Sequence, residues 1–335
     1  MSAADFDPAR LAGFLDDRFG KGDFALGRIR GGQSNPTYMV HHGGRGLVLR
    51  KQPAGPILKG AHAVDREFRV MQALAPQGVP VPRVVLFHDD PGLLGTPFYL
   101  MERLEGRVFD DCSLPGMAPD DRRAIYLAMA EAMAKMHAVD PAAAGLGDYG
   151  PPGDYFERQV RRWTKQLRAS TGAPVAELER LAGWLADNLP QDDGRVAVAH
   201  GDFRLGNLMF HPSEPRVIGI LDWELSTLGH PLADLGFCCM TWHSSPREYG
   251  GILGLDLAAL GIPSKAEFVA HYMAHARPTA ALTDFHVIFA LFRFAVIFVG
   301  IADRARAGNA AGADAARLAP LARAFARRAL ELLEG

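Results

Sequence analysis

The first hundred residues contain four short, mainly apolar stretches. Gly, Pro and Asp residues, which favour turns, separate these stretches, so each stretch predicts a β-strand. The predicted strands cover 38–40, 47–51, 84–88 and 98–104. Between the second and third of them, apolar residues recur every three or four positions and predict one amphipathic helix over 63–75.

Beyond Gly106 the apolar residues recur mostly with the period of a helix, and one apolar run at 217–222 predicts a buried strand. The predicted helices cover 120–138, 155–170, 175–188, 264–276, 284–306 and 315–333. A strand-rich segment followed by a helical one is typical of an α+β chain. We therefore predict two lobes, 1–104 and 105–335, with a hinge near 101–106 and a cleft where the lobes join.

Composition and charge exclude several classes of protein. The chain has 335 residues, of which 48% are apolar and 22% charged, as in ordinary globular proteins, and a formal net charge of −2. This charge gives no general attraction to nucleic acids or anionic membranes, so neither is an expected partner. Three cysteines and no recognisable secretory signal favour the cytoplasm. The most apolar stretch, 287–301, contains Arg293 and is interpreted as a buried helix.

One short region carries the residues with the most specific spacing. His200-Gly201-Asp202 is followed by Asn207 after five positions, and Asp222 stands at the end of the predicted strand 217–222. A His-Gly-Asp triplet alone is ordinary turn sequence. The complete spacing, however, places one carboxylate where it can act on a substrate, and an amide oxygen and a second carboxylate where they can bind a hard cation.

These motifs resemble the aminoglycoside phosphotransferase-like branch of the protein-kinase-like fold. Within it the chain resembles the kinase-like domain of acyl-CoA dehydrogenase family members ten and eleven and their bacterial stand-alone relatives. The motifs that carry the resemblance are HGDFRLGNLMF, ILDWE, LGHPLADLG, GGQSNPTY, LVLRK and GTPFYLMERLEG. The resemblance implies a bilobal fold with a small antiparallel-sheet N-lobe with one helix and a larger, mostly helical C-lobe.

The resemblance also implies an ATP- and Mg²⁺-dependent kinase. Asp202 matches the catalytic-loop aspartate, which orients the acceptor hydroxyl and receives its proton, and Asn207 and Asp222 match the magnesium ligands. These residue types suit the reaction, because phosphoryl transfer depends on positioning and charge neutralisation more than on covalent help. Asp234 matches a carboxylate that ties the catalytic loop to a helix. Glu224 is left open between support of the metal site and a structural role in its turn.

The nucleotide-covering loop of the family corresponds to the segment around Gly32 and Ser34. Glycine in such a loop lets backbone N–H groups approach phosphates. The segment is neither a Walker P-loop nor a complete G-x-G-x-x-G motif, so the phosphate contacts of Gly32 and Ser34 follow from the resemblance alone.

Two adjacent cations, Arg50 and Lys51, compete for the role of holding the nucleotide phosphates. Alternation along a strand puts Val48 and Arg50 on one face, and Lys51 on the other. Val48 then suits an apolar contact with adenine, so we favour Arg50 as the phosphate-binding cation and keep Lys51 as the alternative. If Arg50 has this role, we expect the Lys51 side chain to be an exposed charge. Glu67, on the predicted helix, matches the glutamate that pairs with this cation in the family.

The remaining nucleotide contacts are implied by the family's hinge. Backbone groups of Glu102 and Leu104 match those that read the adenine edge, Met101 matches the gatekeeper beside the ring, and Met209 matches the apolar floor.

The acceptor is the least defined part of the site. The resemblance suggests a small hydroxylated molecule, namely a hydroxyacyl-CoA. An aminoglycoside or choline-type acceptor is the first alternative, although no acidic run suited to a polycation is present. A nucleotide-binding pseudokinase that acts through protein contacts is the second. Trp163, Trp242, His243 and Arg293 can line an acceptor site or belong to the core, and nothing indicates the oligomeric state.

Overall fold

The computed structural model describes residues 4–29, 35–55, 62–151, 153–306, 318 and 320–335. The chain forms two compact units. The first unit comprises Met1–Arg107, Ala144–Leu146 and Met209–Ser226, and the second unit comprises Val108–Ala143, Gly147–Leu208 and Thr227–Gly335. The lobe boundaries 1–104 and 105–335 stay a prediction, because the first unit takes segments from both ranges.

The first unit contains a five-stranded antiparallel sheet in the order β1–β2–β3–β5–β4. Its strands are β1 Phe24–Arg28, β2 Thr37–His42, β3 Arg45–Lys51, β4 Val84–His88 and β5 Phe98–Glu102. Four of them were predicted, and β1 was not. Gly43 and Gly44 both have positive φ, which is the backbone of the two-residue turn that joins β2 to β3.

Three α-helices lie in the described part of the first hundred residues, where the sequence predicted one clear helix. They are α1 Pro8–Phe19, α2 Val64–Leu74 and α3 Pro91–Leu94. The sequence predicted α2 but did not indicate α1 or α3, and α1 shows why. Asp7 caps its N-terminus and Leu11 and Leu15 are its only fully buried apolar residues, too few for a clear periodic signal, yet both join the core beneath the sheet.

The second unit is mainly helical. Its helices are α4 Pro119–His137, α5 Tyr155–Arg168, α6 Ala176–Asp187, α7 Pro231–Cys239, α8 Leu257–Leu260, α9 Lys265–His275, α10 Asp284–Arg306 and α11 Leu321–Glu334. The pattern predicted all except α7 and α8. Residues 315–317 and 319 of the last predicted helix lie outside the described residues.

Four short strands follow α6 among the residues that the structure describes. They are β6 Ala197–Ala199, β7 Leu208–Phe210, β8 Val217–Ile220 and β9 Thr227–Gly229. β6 pairs with β9 and β7 pairs with β8, so two small sheets hold the loops that carry the predicted catalytic and metal-binding residues.

Helix α10 is long and apolar enough to cross a membrane, but its burial favours a core helix. Of its most apolar window, 72% is buried inside the protein, which is usual for the central helix of a globular domain. It packs against α5, α6, α7 and α11. This packing supports the interpretation of 287–301 as a buried helix.

Candidate active site

Arg50 lies at the centre of a charged cluster in the first unit. Its Nε lies 2.8 Å from Oε2 of Glu67, and its Nη2 lies 2.6 Å from Oδ1 of Asp222 and 3.8 Å from Oε2 of Glu224. The Arg50 side chain is 12% exposed. Three carboxylates around one largely buried guanidinium hold it in place and raise its pKa further, despite the opposing effect of burial.

Glu67, which stands on α2, is held by neutral donors as well as by Arg50. Asn35 Nδ2 donates to Oε1 at 2.7 Å, and the hydroxyl of Tyr99 donates to Oε2 at 3.0 Å. His62 in turn contacts Oδ1 of Asn35 at 3.1 Å. Burial raises the pKa of Glu67 to about 7, although Arg50 and the two donors act in the opposite direction. The sequence analysis gave no role to Asn35 or Tyr99, although they lie within the motifs GGQSNPTY and GTPFYLMERLEG.

The predicted alternation of faces along β3 is confirmed. Lys51 points to the opposite side of the sheet from Arg50, where its Nζ lies 2.8 Å from Oδ2 of Asp5 and over the ring of Phe6. The pairing of β3 with β2 and with β5 is regular, without a bulge. The expectation that Lys51 is an exposed charge is wrong, because its side chain is 1% exposed.

Asp222 follows β8 and has an unusual backbone. Its φ of 64° and ψ of 66° place it in the left-handed region, which non-glycine residues rarely adopt. The next residues, Trp223–Leu225, form a 3-10 helix, and the Trp223 indole donates to the carbonyl of Ile220 at 2.9 Å. This tight turn aims the Asp222 carboxylate at Arg50, and such strain is often retained at functional sites.

The predicted hinge and floor residues also meet in the first unit. Val48 pairs across the sheet with Met101. A Cβ built on Gly219 would lie 2.7 Å from Cδ1 of Leu104 and 3.7 Å from Cβ of Met209, so both side chains pack around this point. Glu102 is held by Arg83, whose backbone N–H donates to its Oε1 at 2.9 Å and whose carbonyl accepts from its N–H at 2.9 Å.

Gly32 and Ser34, the predicted phosphate contacts of the nucleotide-covering loop, lie outside the described residues. Their assignment stays a prediction.

In the second unit, Asp202 and Asn207 are in direct contact. Nδ2 of Asn207 donates to the Asp202 carbonyl at 2.9 Å and to Oδ2 at 2.7 Å, so the amide oxygen Oδ1 faces away from Asp202. Arg204 Nε also lies 3.4 Å from Oδ2. The 3-10 helix Leu205–Asn207 shortens the loop and brings the two side chains together. The Asp202 side chain stays 23% exposed and can meet a substrate.

Asp234, on α7, holds the loop that carries Asp202. It is 1% exposed and accepts hydrogen bonds from the backbone N–H groups of His200, at 2.6 Å, and Gly201, at 2.8 Å. His137 Nε2 contacts the same carboxylate at 3.2 Å, and His137 Nδ1 lies 2.8 Å from the hydroxyl of Tyr272. Burial opposes ionisation, but these donors hold the pKa of Asp234 below its ordinary value.

Arg293 braces the same loop from α10. Its Nη2 donates to the Gly201 carbonyl, and its guanidinium lies over the rings of Trp163 and Phe237. The sequence left Arg293 and Trp163 open between the acceptor site and the core. The structure places both side chains in the core. The sequence signal for this was a cation within an apolar helix.

Two cavities of the second unit differ in what lines them. One, of about 50 Å³, adjoins the loop that carries Asp202 through Arg204, Leu205 and Gly206, and its lining includes the aromatic side chains of Tyr249 and Phe294. The other, of about 610 Å³, lies at the N-termini of α5 and α7 and is lined by none of the predicted site residues.

The chain matches a known enzyme family over most of its length. The sequence profile of the Phosphotransferase enzyme family (APH) matches residues 26–268, and the chain belongs to this family. A crystal structure from Ralstonia eutropha JMP134, provisionally described as an aminoglycoside phosphotransferase, is 43% identical with a TM-score of 0.89, and the match covers 98% of each chain. The predicted protein-kinase-like α+β fold is thereby confirmed.

Curated relatives include larger proteins. The chain is 44% identical to acyl-CoA dehydrogenase family member 10 of Mus musculus over 89% of this chain and 28% of that protein. It is 38% identical to acyl-CoA dehydrogenase family member 11 of Homo sapiens over 96% of this chain and 41% of that protein. The chain thus spans less than half the length of these relatives.

Proposed function

We propose that this chain is an ATP- and Mg²⁺-dependent kinase that transfers the γ-phosphate to a hydroxyl group of a small molecule. The arrangement of Arg50 between Glu67 and Asp222 is the observation that carries the proposal. Arg50 is buried, and it is held by a helix glutamate and a strained aspartate. An apolar residue would serve better for packing alone, so packing does not explain this cation. It suits a site that binds phosphate groups.

In this proposal the residues of the first unit bind the nucleotide. Arg50 contacts the phosphates and Glu67 fixes its guanidinium. Val48 and Met101, which are neighbours across the sheet, contact the adenine ring, as do Leu104 and Met209. The backbone groups of Glu102 and Leu104 hydrogen-bond to the adenine edge, and Gly32 and Ser34 cover the phosphates.

Asp202 acts on the acceptor. Its carboxylate accepts a hydrogen bond from the acceptor hydroxyl and takes up the proton as the oxygen attacks the γ-phosphorus, while the bond from the γ-phosphorus to the bridging oxygen breaks and ADP leaves. Asn207 keeps this carboxylate oriented through its Nδ2 contact. Asp234 and Arg293 hold the loop so that little reorganisation is needed during the reaction.

The donor chemistry fits Mg²⁺. Asn207 offers an amide oxygen on the side away from Asp202, and Asp222 offers a carboxylate, and oxygen atoms are the ligands that Mg²⁺ prefers. Asn207 and Asp222 would hold the ion, which would supply positive charge against the phosphate oxygens.

The acceptor we propose is a hydroxyacyl-CoA. The relatives that match this chain over most of its length carry acyl-CoA dehydrogenase in their names. The small cavity beside the catalytic loop supports the proposal, since Tyr249 and Phe294 suit an alkyl segment and Arg204 suits an anionic group. Asp110 is the single acidic residue among the described residues that line this cavity, which disfavours a polycationic aminoglycoside.

The test is a coupled assay of ADP formation with three acceptor classes, namely hydroxyacyl-CoAs, aminoglycosides and amino alcohols. We expect ADP formation to depend on a hydroxyacyl-CoA, with mass spectrometry detecting a phosphorylated product. Asp202→Asn is the matched control and removes this activity. If only aminoglycosides are phosphorylated, the acceptor is an aminoglycoside. If the chain binds ATP tightly but phosphorylates none of the acceptors, the pseudokinase is favoured.

A further inference from the structure

A group of metal-binding side chains lies in the second unit, outside the residues proposed for phosphoryl transfer. It consists of Glu131 on α4 and His271 and His275 on α9. One donor atom from each of these side chains lies within 4.8 Å of the other two. We propose that they form a binding site for a transition-metal dication of the Zn²⁺ type that links α4 to α9.

The helical spacing supports the site. His271 and His275 are four residues apart on one helix, so both rings stand on the same face, and their centroids are 4.4 Å apart. Glu131 reaches this face from the adjacent helix, and its Oε1 lies 2.8 Å from Nε2 of His271. Two imidazoles and one carboxylate, with water as the fourth ligand, are a common zinc ligand set.

The hydrogen bond of His275 prepares its ring for a metal. Nδ1 of His275 donates to the backbone carbonyl of His271 at 2.8 Å, which fixes the neutral ring with its proton on Nδ1 and a lone pair on Nε2. His271 must give up its hydrogen bond to Glu131, so the proton on its Nε2 moves to Nδ1 or to solvent. The site is solvent-accessible, since Glu131 and His275 are exposed.

Imidazole nitrogens select for zinc-type ions over Mg²⁺, because Mg²⁺ prefers oxygen ligands only. The Mg²⁺ of a kinase reaction would therefore not occupy this site.

Metal binding at this position would stabilise the two helices that support the catalytic loop. Tyr272 follows His271 on α9, and its hydroxyl contacts His137 at the end of α4. His137 in turn contacts Asp234, which binds the loop amides. An ion between α4 and α9 joins the same pair of helices from the solvent side.

The test is a titration of chelator-treated, tag-free protein with Co²⁺, followed by visible absorption, and with Zn²⁺, followed by calorimetry. We expect one tightly bound ion per chain and a Tm that increases with Zn²⁺ concentration. His275→Ala should lower the affinity by about tenfold or more and remove the increase in Tm. Glu131→Gln, which keeps the size of the side chain, should weaken binding in the same direction.

His41→Ala is the matched control. Nε2 of His41 lies 3.0 Å from Oδ2 of Asp23, so His41 forms the same kind of histidine–carboxylate pair as His271. Within the described part of the chain, His41 belongs to no group of three possible metal ligands. It should bind the metal like the unmodified protein. Circular dichroism establishes that each variant is folded. The absence of tight binding, or equal affinity in His275→Ala and His41→Ala, would overturn the proposal and leave a histidine–glutamate ion pair only.

Discussion

Arg50 Nη2 and Asp222 Oδ1 are 2.6 Å apart although 172 positions separate the two residues in the chain. The contact joins the predicted phosphate-binding cation to a predicted metal ligand. Both residues belong to the first unit, because the segment Met209–Ser226 returns to pack there. Substitution of each residue in turn tests the two proposed roles separately.

Arg50→Lys should lower kcat/KM for ATP by about tenfold or more. An ammonium cannot reproduce the simultaneous contacts of the guanidinium with Glu67 and Asp222, and loss of one charge-assisted hydrogen bond is worth about 1.5–3 kcal/mol. Steady-state kinetics at varied ATP concentrations measures the effect.

Lys51→Met is the matched control for Arg50→Lys. It keeps an apolar stem in the core but leaves Asp5 without its cation, so the free energy of unfolding should fall by about 1–3 kcal/mol while kcat/KM stays near normal. The reverse pattern, with normal stability and severely impaired ATP use, would assign the phosphate contact to Lys51.

Asp202→Asn should reduce kcat by about 10²–10⁴-fold, because an amide cannot accept the acceptor's proton. ATP affinity should stay close to normal, since Asp202 is proposed to act on the acceptor. Single-turnover kinetics together with nucleotide titration separates the two quantities. Turnover near the unmodified rate would remove Asp202 from the mechanism.

Asp222→Asn should weaken the binding of Mg-ATP by about tenfold, which is the loss typical of one charged contact. The binding of ATP without metal should weaken much less. Asparagine is the appropriate substitution because it tolerates the left-handed backbone at this position, whereas alanine would add strain. Calorimetric titrations with and without Mg²⁺ provide the comparison. Equal losses in both would contradict a metal-binding role.

Asp234→Asn should lower the free energy of unfolding by about 3 kcal/mol at pH 7, since it places an amide nitrogen against backbone N–H donors in a buried site. The folded chain has the lower pKa at Asp234, so the unfolded chain takes up a proton first as the pH falls. The stabilisation is therefore present above the ordinary carboxyl pKa and is lost as the pH falls through the lowered value.

Denaturation curves for both proteins between pH 7 and pH 3 check this dependence. The difference in stability should stay constant down to about pH 5 and shrink below about pH 4. Asp17→Asn, at an exposed position, is the control and should change little. A difference that grows in acid would contradict an ionised Asp234.

Gly106→Ala should lower the free energy of unfolding by about 1–3 kcal/mol. A Cβ at this position would lie 2.4 Å from the carbonyl oxygen of Phe210 and 2.6 Å from Cγ of Met209, so the floor of the proposed adenine site must shift. Gly13→Ala, within α1 and with no described atom within 4 Å of the new Cβ, should instead stabilise the chain by about 0.5–1 kcal/mol. Chemical denaturation compares the two.

Local sequence patterns were enough to predict most elements, and the resemblance of the motifs predicted the enzyme family. A continuous apolar run predicted α10, which is buried at every position from Phe285 to Val296. Burial alternates along β3, and this alternation alone separated the face of Arg50 from that of Lys51. The spacing of Asp202 and Asn207 is confined to one short loop, so their contact was also within reach of the sequence.

Tertiary structure decided the contacts that join distant segments. Burial of Lys51 depends on Asp5 and Phe6 from the N-terminal segment, and β3 alone gives no sign of either. The support of Glu67 by Asn35 and Tyr99, and of Gly201 by Arg293, likewise joins positions far apart in the chain. A sequence pattern reports the face on which a side chain lies, whereas the partner on that face is set by the packing of whole elements.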